Sequence, residues 1–381
     1  MGRIFIRIVP VIILLTAIYS CEKETDFDPR FPSDEFVSDG KYEGEYWPTE
    51  EWRTCSPEQV GMDPDGLKKM NEEISLLLKL HIDVHGVLVI RKGYIVAEQY
   101  YSDDFTRDSL HRIYSCTKSI TSAAIGIAID EGYIDSVNQA VLEYFPEYVI
   151  ENPDPLKETI TIRHFLTMSA GLEWKEMDYT YDDDRNTFNQ WLQSDDLVKF
   201  VLDRPLIHNP GEEYDYSTGY SHVLSEIIEK STGVQLDLFT DERIFQPIGI
   251  TDYYWTRDKN GIPYGGHGLW LTPRDMAKIG YLYLKKGLWE NKQIISEEWV
   301  LESSKKHIQQ KYISDYYYGY HWWVHPTGRY SAVGYAGQWI YVIPEHEMVV
   351  VFTNNFDNSD QWQISAPERL LETYIIPAVK D

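Results

Sequence analysis

The sequence is poor in cysteine, since its 381 residues include only Cys21, Cys55 and Cys116. None of the three belongs to a Cys-x-x-Cys pair or to a Cys/His cluster with the spacing of metal ligands. Their scarcity argues against a zinc site and against a framework of disulfides. We therefore predict no metal site.

Positive charge is also scarce, because 35 lysines and arginines are set against 61 aspartates and glutamates, a formal net charge of −26. An acidic surface repels phosphates and anionic headgroups, so nucleic acid is not an expected partner. The charge is compatible with cationic substrates, although a solvated acidic surface is the favoured interpretation. Hydrophobic residues make up 43% of the chain, which is ample for a sizeable core.

The N-terminal residues have the layout of a signal peptide. Arg3 and Arg7 precede an apolar run over 8–18, which is too short for a comfortable transmembrane span. The run leads to Ser20-Cys21, which resembles a bacterial lipoprotein cleavage site with Cys21 as the lipidated residue. A plain signal peptide or a retained anchor is the alternative. We predict an exported cell-envelope protein, periplasmic or in the outer membrane, that contacts the membrane only through this lipid.

Three regions follow from the composition along the chain. Residues 1–20 form the predicted signal peptide, and the polar, acidic segment 21–51 is predicted to be a disordered tether. The folded domain is predicted over 52–381, where neither an internal repeat nor a low-complexity tract occurs.

The pattern of the domain predicts strands at both ends and helices in the middle. Two β-rich runs, 87–90 and 95–97, surround a Lys92-Gly93 turn and predict a hairpin. Aromatic and β-branched runs predict a C-terminal antiparallel meander over 320–324, 330–335, 338–343 and 348–353, with a closing helix over 366–374. Apolar spacing and capping residues predict helices over 115–132, over about 218–230, and from Thr272-Pro273. The predicted class is α+β, with one antiparallel sheet built from both termini, flanking helices and an inserted, mostly helical region.

Ser115-Cys116-Thr117-Lys118 matches the Ser-x-x-Lys motif of penicillin-recognising serine enzymes. Residues three apart share a helix face, so the Lys118 amine can reach the Ser115 hydroxyl. The positive end of the helix would stabilise an oxyanion there, and an apolar helix face would favour the neutral amine as a base. The alternative is a capping serine with a surface lysine, but the helix that follows is strongly apolar.

Five blocks, in order along the chain from about Trp52, carry a resemblance to a known family. They are YSCTKSITSAAIGIAIDEG at 114–132, ITIRHFLTMSAGL at 160–172, PGEEYDYSTGY at 210–220, GLWLTPRDMA at 268–277 and GYAGQ at 334–338. Together they resemble the β-lactamase-related serine hydrolases, which include class C β-lactamases, D-aminopeptidases, carboxylesterases and nylon-oligomer hydrolases. The resemblance implies a β-lactamase/transpeptidase-like fold.

The resemblance also implies roles for individual residues. Ser115 would be the acylated nucleophile, Lys118 its general base, and Tyr216 the phenol that relays a proton to the leaving group. A loop tyrosine packed beside Tyr214 is the other interpretation of Tyr216. Thr218 stands where the family usually has an asparagine that orients the substrate and the lysine.

Tyr335-Ala336-Gly337 aligns with the family's Lys-Thr-Gly element and predicts a strand that lines the substrate site. The missing lysine argues against efficient β-lactam hydrolysis and against anionic substrates. Gly337 would admit the substrate closely, and the Gln338 and Ser115 N–H groups would form an oxyanion hole. A simple β-bulge is the alternative for Gly337.

Further residues are candidates for shaping the substrate site. Trp339, with Trp322 and Trp323, would wall an apolar pocket, although aromatic residues in strands more often belong to the core. His267 lies in a glycine-rich segment that would border the cleft, and it has no spaced acidic partner for a catalytic triad. The acidic run 182–184 would attract an amine, or is simply a solvated loop.

The predicted function is cleavage of an ester or amide of a small molecule or peptide, with no cofactor. An esterase or short-amide hydrolase is the favoured interpretation. The alternatives are a D-stereospecific peptidase, a β-lactamase, a non-catalytic penicillin-binding-like sensor, or a structural envelope lipoprotein.

Overall fold

A computed structural model describes residues 40–313, 315–356 and 365–380. The predicted signal peptide, Cys21 and residues 21–39 of the predicted tether lie outside the described residues. Export and lipidation therefore stay predictions. None of the helices in the described part of the chain is long and apolar enough to cross a membrane.

Thirteen strands are found in the described residues. They are β1 (Val84–Arg91), β2 (Tyr94–Tyr100), β3 (His111–Arg112), β4 (Tyr254–Trp255), β5 (Leu269–Leu271), β6 (Leu288–Trp289), β7 (Lys292–Gln293), β8 (Ile308–Gln309), β9 (Tyr317–Tyr318), β10 (Trp323–Val324), β11 (Tyr330–Gly334), β12 (Gln338–Ile343) and β13 (Met348–Asn354). Eight of them form one sheet in the order β2-β1-β13-β12-β11-β10-β9-β8.

The large sheet is antiparallel and combines the two ends of the domain. Strand β1 pairs with β2 on one side and with β13 on the other, so that Leu88 lies opposite both Glu98 and Val351. The N-terminal hairpin is thus joined directly to the C-terminal meander. The predicted α+β class, with a sheet built from both termini, is confirmed.

Ten α-helices are found in the same residues. They are α1 (Pro64–Lys79), α2 (Thr117–Asp130), α3 (Ile162–Leu166), α4 (Thr187–Gln193), α5 (Leu197–Asp203), α6 (Thr218–Thr232), α7 (Leu236–Thr240), α8 (Pro273–Leu284), α9 (Glu297–Ser303) and α10 (Ala366–Leu370). The predicted closing helix is α10 followed by a π-helical turn, Leu371–Ile375. Most of the remaining helices lie between β3 and β8 in the chain, which is the predicted helical insertion.

Two hydrophobic clusters cover the two faces of the sheet. Ile340 and Val342 of β12 point into the larger cluster, which contains α2, α6 and α8. Trp339 and Tyr341 point into the other, formed with α1 and the C-terminal helix α10. Because both faces are covered, all residues of β12 are buried.

The packed domain begins earlier than the sequence analysis placed it. Residues 40–51 were assigned to the tether, but the rings of Tyr42 and Tyr46 pack against Tyr94 of β2 at 5.0 and 4.8 Å. The Trp289 indole also donates a hydrogen bond to Thr49 Oγ1 at 2.7 Å. The aromatic residues of this acidic segment have apolar surface to bury, and the domain offers it.

Candidate active site

Ser115 lies in a tight turn immediately before helix α2. The predicted helix was to start at Ser115, but residues Tyr114–Cys116 form a 3-10 turn and the α-helix begins at Thr117. Thr117 Oγ1 donates to the Tyr114 carbonyl at 2.6 Å, and the Cys116 N–H donates to the Ile113 carbonyl at 3.1 Å. The turn therefore holds Ser115 at the positive end of a 14-residue helix.

Lys118 extends from the first turn of α2 to three acceptors. Its Nζ is 3.0 Å from Ser115 Oγ, 3.0 Å from Thr218 Oγ1 and 2.8 Å from the Gly266 carbonyl. The side chain is only 1% exposed. The surface-lysine interpretation of the motif is therefore wrong, and the predicted contact between Lys118 and Ser115 is present.

Burial gives the site a group that titrates near neutral pH. It lowers the pKa of the Lys118 amine to about 8, and the negative charge of Glu176 opposes part of this fall. Burial raises the pKa of Tyr216 well above its usual value, an effect that the Ser115 hydroxyl opposes in part. The phenol therefore stays protonated where the amine loses its proton.

Tyr216 packs directly beside the serine–lysine pair. Its ring lies 4.8 Å from Lys118 Nζ and stacks on the Trp323 ring at 6.1 Å. The side chain is buried. The structure thus brings Ser115, Lys118 and Tyr216 together, as the resemblance implied.

Thr218 and Glu176 complete the surroundings of the lysine. Thr218 opens helix α6, and its hydroxyl donates to Glu176 Oε1 at 2.6 Å while it accepts from Lys118. Glu176 is 1% exposed. Sequence reasoning missed Glu176, because no motif or spacing links residue 176 to either 118 or 218.

The turn between β11 and β12 lies against the nucleophile turn. The Cys116 thiol contacts the Gln338 carbonyl at 3.6 Å, and a Cβ on Gly334 would stand 2.3 Å from the Ile113 carbonyl. The predicted strand over Tyr335-Ala336-Gly337 is wrong, because these residues form a 3-10 turn in which Ala336 has φ 59° and Gly337 has φ 87°. This backbone places the predicted oxyanion-hole residue Gln338 next to the segment that carries Ser115.

Tyrosines form a rim close to the nucleophile. Tyr335 is 40% exposed, and its ring lies 5.4 Å from that of Tyr114 and 5.2 Å from that of Tyr181. The position that the resemblance aligned with the family's lysine thus carries a partly exposed aromatic ring. Tyr181 was not identified from the sequence.

His267 is a buried residue of the Lys118 surroundings. It follows Gly266, the residue whose carbonyl accepts from Lys118, and its ring stacks on Tyr264 at 4.3 Å. Burial, with the charges of Lys118 and Arg112, lowers its pKa well below the usual value. Arg112 Nη2 lies 3.4 Å from His267 Nδ1. A neutral imidazole is therefore part of the site, and its contact with substrate stays a prediction.

The prediction that Trp339 lines the substrate site is wrong. Its ring stacks on Tyr341 at 4.8 Å, on the sheet face opposite to the one that packs on α2. Trp322 is also fully buried, between Tyr283 and Tyr330. Successive strand residues alternate between faces, and only Trp323 of the three tryptophans contacts Tyr216.

The acidic run at 182–184 has an ion pair to a residue of its own loop. Asp183 forms an ion pair with Arg185 at 2.6 Å, which lowers the pKa of the carboxyl group to about 2. The arrangement agrees with the solvated-loop interpretation of this run.

One group of described residues has the composition of a metal site. Side chains of His325, Glu368 and Glu372 offer ligand atoms within 4.8 Å of one another. Arg329 forms ion pairs with both glutamates, and Tyr316 donates to Glu368 at 3.0 Å. Both carboxylates are already ion-paired with this arginine, whose positive charge would repel a divalent ion, so the group does not fit one.

The fold and the site define the class of protein. A serine in the turn before a buried helix, with a lysine from the first turn of that helix in contact with it, is the feature of a serine hydrolase. Residues 79–374 match the model of the family described as Beta-lactamase. The chain belongs to the beta-lactamase family and is a serine hydrolase of that family.

Known proteins support the same assignment. A 6-aminohexanoate-dimer hydrolase from Paenarthrobacter ureafaciens is 25% identical over 295 residues, 72% of this chain and 73% of that protein. Esterase EstB from Burkholderia gladioli is 27% identical over 178 residues, 44% of each chain.

Solved structures share the fold. EstCE1, a hydrolase with promiscuous acyltransferase activity, superposes with a TM-score of 0.69 at 16% identity and covers 81% of this chain and 98% of its own. An octameric penicillin-binding protein homologue from Pyrococcus abyssi superposes with a TM-score of 0.66 at 20% identity, over 82% of this chain and 79% of its own.

Proposed function

We propose that the protein hydrolyses an ester or a short amide through an acyl-enzyme on Ser115. The observation that carries the proposal is the 3.0 Å contact between Lys118 Nζ and Ser115 Oγ in a buried setting. The neutral amine takes the hydroxyl proton while Oγ forms a bond to the substrate carbonyl carbon. The product of this step is a tetrahedral oxyanion.

Lys118 is a better candidate for the base than Tyr216. With a pKa of about 8, a sizeable fraction of the amine is neutral at neutral to mildly alkaline pH. Tyr216 keeps its proton there, because burial raises the pKa of the phenol. Tyr216 is therefore a donor, and it passes a proton to the departing alkoxide or amine while the ammonium of Lys118 returns one to the phenol oxygen.

Deacylation repeats the same steps with water. Lys118 accepts a proton from the water, the oxygen bonds to the acyl carbon, and the bond to Ser115 Oγ breaks. The acid leaves, and the serine regains its proton. The N–H groups of Ser115 and Gln338 would stabilise both oxyanions.

Replacing Gly337 with alanine should impair both stability and turnover. The new Cβ would stand 2.4 Å from the Phe356 ring at a φ of 87°, so the turn that presents Gln338 must move. We expect a loss of about 2 to 4 kcal/mol in unfolding free energy from strain and overpacking. We also expect kcat to fall about 10-fold or more, since one oxyanion donor is displaced. Urea unfolding and ester kinetics measure the two effects.

Gly328→Ala is the matched control for this change. Gly328 has a φ of 95° and open space around its Cβ position, so the variant carries the strain of the backbone without the clash. It should lose about 1 kcal/mol of stability and retain kcat. Equal kcat losses in the two variants would contradict the role of the Gln338 turn.

Esters and short amides are the proposed substrates because three observations favour them. The family's cationic lysine is replaced by Tyr335, whose ring is partly exposed beside Tyr114. One relative is named a 6-aminohexanoate-dimer hydrolase, and another is named an esterase. A β-lactam carboxylate would lack the usual cation at this position.

The test compares a short-chain aryl ester, a linear aminohexanoate amide and a chromogenic cephalosporin. We expect turnover of the ester or the amide that depends on Ser115, and little turnover of the cephalosporin. Fast cephalosporin turnover would instead favour a β-lactamase. If none of the substrates is turned over, the general esterase or amidase proposal fails, leaving a narrow D-peptidase or a sensor.

A further inference from the structure

Glu176 is a buried carboxylate for which the proposed reaction has no acid or base role. Its Oε1 accepts hydrogen bonds from Tyr181 Oη at 2.9 Å and from Thr218 Oγ1 at 2.6 Å. Its Oε2 accepts from the Thr218 N–H at 2.7 Å and from Trp174 Nε1 at 2.8 Å. Four donors therefore surround the two oxygens, which is the full capacity of an ionised carboxylate.

This arrangement determines which way the Thr218 hydroxyl points. A hydroxyl has one proton, and Thr218 gives it to Glu176, so that only lone pairs of Oγ1 face Lys118. The Gly266 carbonyl, the second partner of Lys118, is also an acceptor only. Two N–H bonds of the lysine are thus directed at Thr218 and Gly266. In the neutral amine the remaining position is the lone pair, which must face Ser115.

We propose that Glu176 is the positioning residue of this site: by holding the Thr218 hydroxyl proton, it aims the lone pair of neutral Lys118 at the Ser115 hydroxyl. The inference rests on the proposed function of Lys118 as the base. Glu176 acts only through Thr218 and is not itself in contact with Ser115 or with the reacting carbonyl.

The charge of Glu176 has a second, measurable effect on Lys118. It raises the pKa of the amine and so offsets part of the depression caused by burial. Four neighbouring groups are uncharged at the pH where the amine titrates, because burial raises the pKa of the phenol and the thiol and lowers that of both imidazoles: Tyr216, Cys116, His267 and His321. The Arg112 guanidinium, which contacts His267, stays charged with or without Glu176 and so does not change the comparison. Removing the charge of Glu176 should therefore lower the pKa of Lys118.

Glu176→Gln tests the proposal with almost no change of shape. The Thr218 N–H and the Trp174 indole can only donate, so the glutamine must keep its oxygen toward them. Its NH₂ then replaces Oε1 and donates to Thr218 Oγ1. The Thr218 proton turns toward Lys118 and competes with Ser115 for the lone pair.

We expect two changes in the pH profile of kcat/KM for an aryl ester. The plateau at high pH should fall about 10- to 100-fold, because the base is misdirected. The rising limb should move to lower pH by about one unit, because the anion is lost. A fall in the plateau with an unmoved limb would mean that Glu176 only supports packing, and would overturn the proposal.

Two variants of Thr218 keep the proposal falsifiable if Glu176→Gln does not fold. Thr218→Ser retains the hydroxyl and should keep the plateau within about 3-fold of the parent chain, whereas Thr218→Val removes the acceptor and should lower it about 10-fold or more. Circular dichroism and thermal unfolding establish that each variant is folded. Equal plateaus for Thr218→Val and the parent overturn the inference.

Labelling by a fluorophosphonate separates this inference from the proposed function. The parent chain should be labelled at Ser115, and Glu176→Gln should be labelled more slowly. If the parent is neither labelled nor active, the proposed function and this inference both fail. If the parent and Glu176→Gln react at the same rate throughout the pH range, only the inference fails.

Discussion

Ser115→Ala is expected to lower ester hydrolysis by about 10⁴-fold or more, because no other group can form the covalent intermediate. The Thr218 hydroxyl, which also contacts Lys118, is already hydrogen bonded to Glu176. Substrate binding should persist in this variant, so we expect kcat to fall while KM changes little. The readouts are steady-state kinetics and intact-protein mass spectrometry after reaction with a fluorophosphonate or a slowly deacylating ester.

Ser122→Ala is the matched control for this variant. Ser122 lies on α2, the helix that begins just after Ser115. It is buried, and its hydroxyl has no hydrogen-bond partner among the described residues. The control should retain the covalent adduct and the turnover. An adduct of unchanged yield in Ser115→Ala would mean that another residue is acylated, and the proposed mechanism would be wrong.

Lys118→Met should lower kcat/KM by about 10³-fold and should remove its pH dependence near pH 8. A general base works when it is neutral, and the neutral fraction of Lys118 grows as the pH rises through its pKa of about 8. The parent enzyme should therefore show a rising limb centred near that pH. Methionine has a similar length and cannot titrate, so the residual activity of the variant should lack this limb.

Lys157→Met separates loss of the base from loss of a buried lysine. Lys157 is also buried, and its Nζ donates to the carbonyls of Glu151 and Leu202, away from Ser115. This variant should lose stability and keep the limb near pH 8. If Lys118→Met retains the limb, another group is the base and Lys118 only supplies charge.

The serine–lysine pair was open to prediction because it is local. The two residues are three positions apart along the chain, and a helical turn converts this spacing into contact. The ends of helix α6 could be predicted for the same reason, because capping residues are local signals. Ser217 caps its start, and Gly233 ends it with a φ of 76°. The β-rich runs at both ends likewise predicted a single antiparallel sheet, and the pairing of β1 with β13 confirmed it.

Trp339 illustrates where local pattern fails. A strand with one solvated face alternates polar and apolar residues, and this alternation reveals which side chains face inward. Both faces of β12 are covered by helices, so its residues are uniformly buried and the alternation is absent. Only the packing of α1 and the C-terminal helix α10 against that face shows which way Trp339 points.

The sequence by itself determined the class of chemistry, because the contact between Ser115 and Lys118 depends on their short-range spacing. It also determined the α+β class, because that depends on the composition of successive segments. The tertiary structure alone decided what surrounds the lysine. Glu176, Thr218 and Gly266 lie on separate segments, and they meet at Lys118 only when the loop after Leu172 closes over the start of α6. Hydrogen bonds between buried polar groups are required once the chain is compact, but their pairing follows from the fold rather than from distance along the chain.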